Sequence, residues 1–190
     1  MPLPRCEQKY SYADYLTWDE EERWEIIDGA PYMQATPSRI HQEVLMELSR
    51  QISNYLLDKQ CKVYPAPFCV RLDEETSEKK INNVVEPDIT VVCDKSKLDD
   101  KGCKGAPDMI IEVISPSSGK MDRYIKFNKY ESAGIKVYWL VEPDQRLVSV
   151  FTIQPNGKYG RPEMYADVDK VKVSIFPDLE IDLSSVFGIT

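Results

Sequence analysis

The spacing of apolar residues predicts two long helices in this chain. The first covers residues 38–58, and its apolar side chains recur at the spacing of one helical face: Leu45, Leu48, Ile52 and Leu56. The second covers about residues 119–133 and is followed by Gly134, a residue that commonly closes helices. A serine cap indicates a shorter helix over residues 11–16.

Short apolar runs between turn-forming residues predict the strands. Asp28-Gly29 predicts the turn of a hairpin over residues 24–34. The other predicted strands cover residues 62–72, 84–92, 108–114, 137–141 and 147–151, with short ones near 171–173 and 179–183. Residues 73–83 and 94–105 are polar and predict loops. This order predicts an α/β (α+β) fold in which a mixed β-sheet is flanked by helices.

Length and hydrophobicity predict a single domain over residues 1–190. No apolar run approaches the roughly 20 residues that cross a bilayer, so no membrane partner is expected. The first residues lack the apolar core of a secretory signal. A cytoplasmic location is the expectation that follows.

The cysteines and the single histidine restrict the metal chemistry. Five cysteines is an odd number and none stand in C-x-x-C spacing, so neither a disulfide framework nor a cysteine zinc site is expected. We expect small buried thiols in a reducing compartment. One histidine, His41, favours a carboxylate-and-water site for a hard cation over a zinc site. His41 itself is interpreted either as a hydrogen-bonded residue at a helix start or as a catalytic one.

One carboxylate stands in the middle of the most apolar strand. Alternation places Glu112 on the same face as Ile110 and Ile114. A lone ionised carboxylate among hydrocarbon is very costly, so Glu112 must be neutralised, pair with a cation or hold a metal ion. Glu25 and Asp88 are two further acids beside apolar strand residues.

Acids on neighbouring strands fit two kinds of chemistry. Two facing carboxylates can bind Mg²⁺ while leaving most of its coordination shell to water and phosphate. Such an ion polarises a phosphoryl group and lowers the pKa of bound water, and a nearby ammonium stabilises the developing charge. Structural salt bridges to lysine or arginine are the other interpretation, and spacing alone leaves both open.

A net charge of −8 argues against a protein that simply coats nucleic acid, because such proteins usually carry a basic surface. It does not exclude a nuclease. The acidic site of a nuclease recruits cations, and its basic residues need only line one groove.

Several motifs occur together along residues 10–144. They are Trp24-Glu25-Ile26-Ile27-Asp28-Gly29, Thr36-Pro37-Ser38-x-x-His41, Glu86-Pro87-Asp88-Ile89-Thr90-Val91-Val92, Ile111-Glu112-Val113-Ile114-Ser115-Pro116, Asp122-x-x-x-Lys126-x-x-x-Tyr130 and Ala133-Gly134-Ile135-x-x-Tyr138-Trp139. Together they resemble the Uma-two-type restriction endonuclease family of the PD-(D/E)XK nuclease superfamily. The resemblance implies a restriction-endonuclease-like fold.

The resemblance also implies an endonuclease that hydrolyses DNA phosphodiester bonds with Mg²⁺ or Mn²⁺. By position, Asp88 and Glu112 correspond to the metal-binding acids. Glu25 corresponds to the superfamily's N-terminal acid, which contacts the metal directly or through water. A homodimer is expected, because cutting both strands usually takes two sites.

The chain departs from the superfamily motif at Ile114, where a strand lysine is usual. The resemblance therefore implies that Lys126 on the following helix supplies the catalytic cation, with Lys120 as the second candidate. The alternative for Lys126 is a weak surface pair with Asp122, four residues earlier.

A second function class stays open. A catalytically inactive nuclease-fold protein could act as a nucleic-acid-binding or protein-interaction module, and its acids would then be structural. The acidic net charge favours this alternative.

Overall fold

Within residues 8–18, 22–114 and 121–188, which the computed structural model describes, the strands form two six-stranded sheets and one two-stranded sheet. The helices are α1 (Tyr12–Tyr15), α2 (Arg39–Tyr55), α3 (Phe127–Ala133) and α4 (Leu183–Phe187). The strands are β1 (Trp24–Ile27), β2 (Ala30–Met33), β3 (Lys62–Pro65), β4 (Val70–Arg71), β5 (Val84–Val85), β6 (Ile89–Val92), β7 (Leu98–Asp99), β8 (Gly102–Lys104), β9 (Met109–Val113), β10 (Val137–Glu142), β11 (Leu147–Thr152), β12 (Glu163–Ala166), β13 (Lys170–Val173) and β14 (Phe176–Asp182).

Both large sheets are mixed. The first has the order β12-β11-β10-β9-β6-β3, in which β9 and β10 are parallel and the other neighbours are antiparallel. Parallel strands need a crossover connection, and the one between β9 and β10 contains a π-helical segment, Met121–Lys126, followed by α3. The second sheet has the order β2-β1-β5-β4-β8-β7. The predicted α+β fold, with a mixed sheet and flanking helices, is confirmed.

The central strands of the first sheet, β9 and β10, are buried on both faces. Met109, Ile111 and Val113 of β9 belong to the same apolar cluster as the buried residues of α2. On the opposite face, Ile110 belongs to the cluster that contains Tyr130 of α3. Glu112 follows the alternation of Ile110, so its side chain lies on the side of the crossover helix.

The hairpin of β1 and β2 turns where the sequence predicts. Asp28 and Gly29 have φ angles of 51° and 77°, and positive values at both central positions define the turn that matches strand twist. A β-carbon on Gly29 would lie 2.9 Å from Cδ of Lys9, so a larger residue would also displace that side chain. The turn fixes the register of β1, which pairs with β5 through Ile26 and Val84.

Some predicted elements differ in the structure. The predicted strand over residues 62–72 is divided between the two sheets as β3 and β4, with a cis Ala66–Pro67 peptide between them. The strand over 84–92 is interrupted at Pro87, which has no N–H to give to a ladder. The predicted loop over 94–105 contains the β7–β8 hairpin, so that expectation is wrong. The second long helix is π-helical over Met121–Lys126 before it becomes α-helical, and Gly134 closes it with φ 76°.

The expectation that the cysteines are all reduced is wrong for one pair. Cys61 and Cys93 form a disulfide with a Cα–Cα distance of 3.9 Å, because Lys62 pairs with Val92 and the next residues lie opposite each other. Cys69 and Cys103 are free thiols, and burial raises their pKa values to about 12 and about 11. Cys6 lies outside the described residues.

No helix in the described part of the chain is long and apolar enough to span a bilayer.

Candidate active site

A cleft of about 510 Å³ opens between the β1–β2 hairpin, the start of α2 and the C-terminal end of β9 in the first sheet. The four predicted site residues all line it, and so do a histidine, an arginine and two more carboxylates. The set comprises Glu25, Asp88, Glu112, Lys126, His41, Arg23, Asp144 and Glu86. The cleft therefore brings together residues that are far apart in the sequence.

Strand register brings Asp88 and Glu112 together. β6 and β9 are antiparallel with Ile89 opposite Ile111, so Asp88, just before β6, lies opposite Glu112. Oδ2 of Asp88 accepts a hydrogen bond of 2.8 Å from the backbone N–H of Val113. This backbone contact holds the Asp88 carboxylate where β6 begins and β9 ends.

Lys126 lies between two buried carboxylates. Its Nζ is 2.9 Å from Oε1 of Glu25 and 3.0 Å from Oε1 of Glu112. The three side chains are only 5%, 3% and 4% exposed. Of the three options for Glu112, this structure shows pairing with a cation: a lysine supplied by the helix after the strand contacts it.

Tyr130 also contacts Glu112. It follows Lys126 by four residues and therefore lies on the same helical face. Its hydroxyl donates a 2.6 Å hydrogen bond to Oε1 of Glu112. Burial, together with the neighbouring Glu112 charge, raises the pKa of Tyr130 well above its usual value, so the hydroxyl keeps its proton and acts as a donor.

Glu25 is held from the backbone of a neighbouring strand. The pairing of β1 with β5 lets the N–H of Glu86 donate a 2.8 Å hydrogen bond to Oε1 of Glu25. The Glu86 side chain points away from Lys126, towards Arg23 and the Tyr15 hydroxyl, each 2.9 Å away. Burial, with the Glu86 charge beside it, raises the pKa of Tyr15.

His41 contacts the predicted site directly. The Ser38 side chain caps α2 by accepting a hydrogen bond from His41 N, which places the imidazole in the first turn. Its Nε2 lies 3.1 Å from Oδ2 of Asp88, while Nδ1 is buried without a hydrogen-bond partner among the described residues. The sequence places His41 at the start of a predicted helix, but the contact with Asp88 cannot be inferred from that position.

Two alternatives raised by the sequence fall outside the described part of the chain. Lys120 lies in the gap at residues 115–120, and the side chain of Asp122 is also outside the description. Of the two candidate lysines, Lys126 is the one within the described residues, and it lines the cleft.

The oxygen donors fit a small, water-rich cation site. No group of three or more His, Cys, Asp and Glu residues within the described ranges is arranged to hold a metal ion. Mg²⁺, however, commonly uses one or two protein carboxylates and keeps several waters. Asp88, whose side chain is 18% exposed, and Glu112 opposite it provide such a pair on the cleft wall.

Among the comparisons with known proteins, a family model shows the family and a solved structure shows the fold. The model of the Uma2 family, described as putative restriction endonuclease, matches residues 12–184. "Uncharacterized protein slr1290" of Synechocystis sp. is 28% identical over 124 residues, which are 64% of this chain and 62% of that protein. The match thus spans less than two thirds of that relative. The crystal structure of a putative nuclease belonging to DUF820 from Anabaena variabilis is similar with a TM-score of 0.75 and 19% identity, over 94% of this chain and 98% of the other.

Proposed function

The chain belongs to the Uma2 family, and we propose that it is a metal-dependent endonuclease that hydrolyses phosphodiester bonds of DNA. The observation that carries the proposal is the placement of Asp88 opposite Glu112, with the buried ammonium of Lys126 beside Glu112. Two oxygen ligands and one cation on the same cleft wall are the groups that this reaction needs.

In this proposal Asp88 and Glu112 hold Mg²⁺ or Mn²⁺. When bound, the ion polarises the phosphoryl group and lowers the pKa of a coordinated water. His41 and the Val113 N–H both contact Oδ2 of Asp88 and thus orient the carboxylate. No described residue donates a hydrogen bond to Oδ1, which leaves that oxygen for the ion.

Lys126 positions the attacking water and stabilises negative charge that develops on the phosphate. Glu25 would assist the two metal-binding acids, directly or through water, and it also pairs with the Lys126 ammonium. Two carboxylates hold the ammonium in place, so it need not reorganise during the reaction. This preorganisation is what lets it stabilise the transition state.

The assembly expected for double-strand cutting is a homodimer, because each site hydrolyses one strand. Sedimentation velocity of the purified chain tests this part of the proposal independently of activity.

One observation favours the second candidate function, a catalytically inactive nuclease-fold module that binds nucleic acid or a protein. Glu25, Lys126 and Glu112 form a buried ion cluster, and such a cluster can be purely structural. The net charge of −8 points in the same direction.

Cleavage assays with matched variants separate the two functions. Plasmid DNA and an RNA transcript are incubated with Mg²⁺, Mn²⁺ or EDTA and the wild type, Asp88→Asn or Glu112→Gln. Asp178→Asn, an exposed acid outside the cleft, is the control. We expect metal-dependent DNA cutting by the wild type and the control only, and calorimetric Mn²⁺ binding that Asp88→Asn loses. Equal cutting by all four proteins would sink the assignment. A wild type without metal binding or cutting would instead support the inactive module.

A further inference from the structure

Arg23 lies on the wall of the same cleft and has no role in the proposed hydrolysis. Its carbonyl accepts a hydrogen bond of 2.9 Å from the N–H of Gln34, which extends the β1–β2 pairing by one residue. Residues two apart in an extended strand share a face, so Arg23 lies on the side of Glu25, roughly 7 Å further along.

A buried carboxylate anchors the Arg23 guanidinium. Nε and one terminal nitrogen, Nη2, each lie 2.9 Å from Oε2 of Glu86. Glu86 is only 8% exposed, and its other oxygen accepts a 2.9 Å hydrogen bond from the Tyr15 hydroxyl. The anchor therefore holds the guanidinium plane in one orientation without the entropy loss of ordering it on binding.

The other edge of the guanidinium remains available. Nη1 has no hydrogen-bond partner among the described residues, and the Arg23 side chain is 37% exposed. An arginine that is fixed on one edge and open on the other presents the planar donor geometry that phosphate oxygens accept.

Carboxylates outnumber the basic side chains in the cleft, so a phosphate backbone needs a basic contact in order to bind there. Among the described residues that line the cleft, the lysine and arginine side chains are Lys126 and Arg23. Lys126 pairs with Glu25 and Glu112 and its side chain is 5% exposed, so in the proposal it serves the reacting phosphate and not a neighbouring one. A polyanion that enters an acidic cleft on an acidic protein needs an attractive contact near the reacting group.

We infer that Arg23 binds a phosphate of the substrate strand beside the phosphate that is cleaved. The inference rests on the proposed nuclease function and names the substrate contact of that site. The ligand is the phosphate group of a nucleic acid backbone, so the contact contributes affinity without sequence preference.

The test measures the salt dependence of DNA binding. Fluorescence anisotropy of a labelled double-stranded oligonucleotide is recorded over a series of salt concentrations, with Ca²⁺ in place of Mg²⁺. The variants are Arg23→Gln, Arg23→Lys and, as matched control, Arg50→Gln, since Arg50 also pairs with a glutamate but lies outside the cleft. Thermal unfolding of each variant is measured in parallel.

The lost phosphate contact should lower the slope of log K against log salt by about one in Arg23→Gln. We expect Arg23→Lys to restore the slope, because it keeps the charge, and Arg50→Gln to match the wild type. A wild-type slope in Arg23→Gln overturns this inference while leaving the nuclease proposal intact. Absence of DNA binding by the wild type overturns both.

Discussion

The ammonium of Lys126 lies 3.0 Å from Oε1 of Glu112, although the two residues belong to different elements, a helix and a strand. Directly after the strand, Ile114 stands at the position where a lysine is usual in the superfamily motif. The structure thus supplies a cation to the buried carboxylate from the crossover between β9 and β10.

Replacing Lys126 with methionine should destabilise the protein strongly. It leaves Glu25 and Glu112 buried without their shared cation, which costs about 3–5 kcal/mol when one partner of a buried ion pair is removed. Urea denaturation measures the loss. Lys158→Met is the control: its ion pair with Glu131 is also 2.9 Å long, but Lys158 is 65% exposed, so a loss below about 1 kcal/mol is expected. Comparable losses in the two variants would contradict the buried ion cluster.

Tyr130→Phe removes one buried donor to the same carboxylate. A hydrogen bond to a charged group contributes about 1.5–3 kcal/mol, and the denaturation midpoint should fall accordingly. Tyr165→Phe removes a hydroxyl contact of equal length, 2.6 Å, with Glu163 at an exposed position. Tyr165→Phe should lose less stability than Tyr130→Phe. A larger loss in Tyr165→Phe would contradict the buried hydrogen bond from Tyr130 to Glu112 as the stronger of the two.

His41→Ala should weaken metal binding by about tenfold or more, because it removes one of two groups that orient Asp88. Calorimetry with Mn²⁺ measures the effect without relying on cleavage. Ser38→Ala serves as the comparison, since loss of this cap costs about 1 kcal/mol of stability but leaves the contact between His41 and Asp88. Equal metal affinity in His41→Ala and Ser38→Ala would show that His41 is only a helix-start residue.

Acid stability should depend on Asp99, outside the cleft. The Arg71 guanidinium beside it holds the pKa of Asp99 well below the usual value, with help from Lys104 and the Lys101 N–H. A lowered native pKa gives stability that is present above the unfolded pKa near 3.9 and lost as the pH falls below it.

Asp99→Asn should therefore be less stable than the wild type at pH 7, and the difference should narrow as the pH falls from about 5 towards 2. Thermal unfolding across this range measures the difference. The exposed Asp178→Asn is the control, and a gap between Asp99→Asn and the wild type that stays constant with pH would contradict the role of Asp99.

Local signals were sufficient for the elements that depend on neighbouring residues. The turn at Asp28-Gly29 follows from the φ values it requires, and α2 and β9 follow from their apolar periodicity. The alternation that places Glu112 on the face of Ile110 likewise needs only the period of a strand.

The pattern of apolar and polar residues does not predict contacts between segments that are distant in the sequence. The bond between His41 and Asp88 joins residues separated by 47 positions, and it depends on how α2 docks on the sheet. The Cys61–Cys93 pair depends on strand register, which an odd cysteine count does not disclose. The β7–β8 hairpin was missed because two- and three-residue strands are too short for a periodic signal.

The crossover helix also determines how this region unfolds locally. Lys126 and Tyr130 both donate to Oε1 of Glu112, while Glu112 and Glu25 stay on strands of two different sheets. Opening the crossover would strip two buried carboxylates of their shared cation and one of them of its hydroxyl donor in a single event. These contacts couple the crossover to both sheets, and the cation of the cleft joins the two carboxylates only when the helix docks.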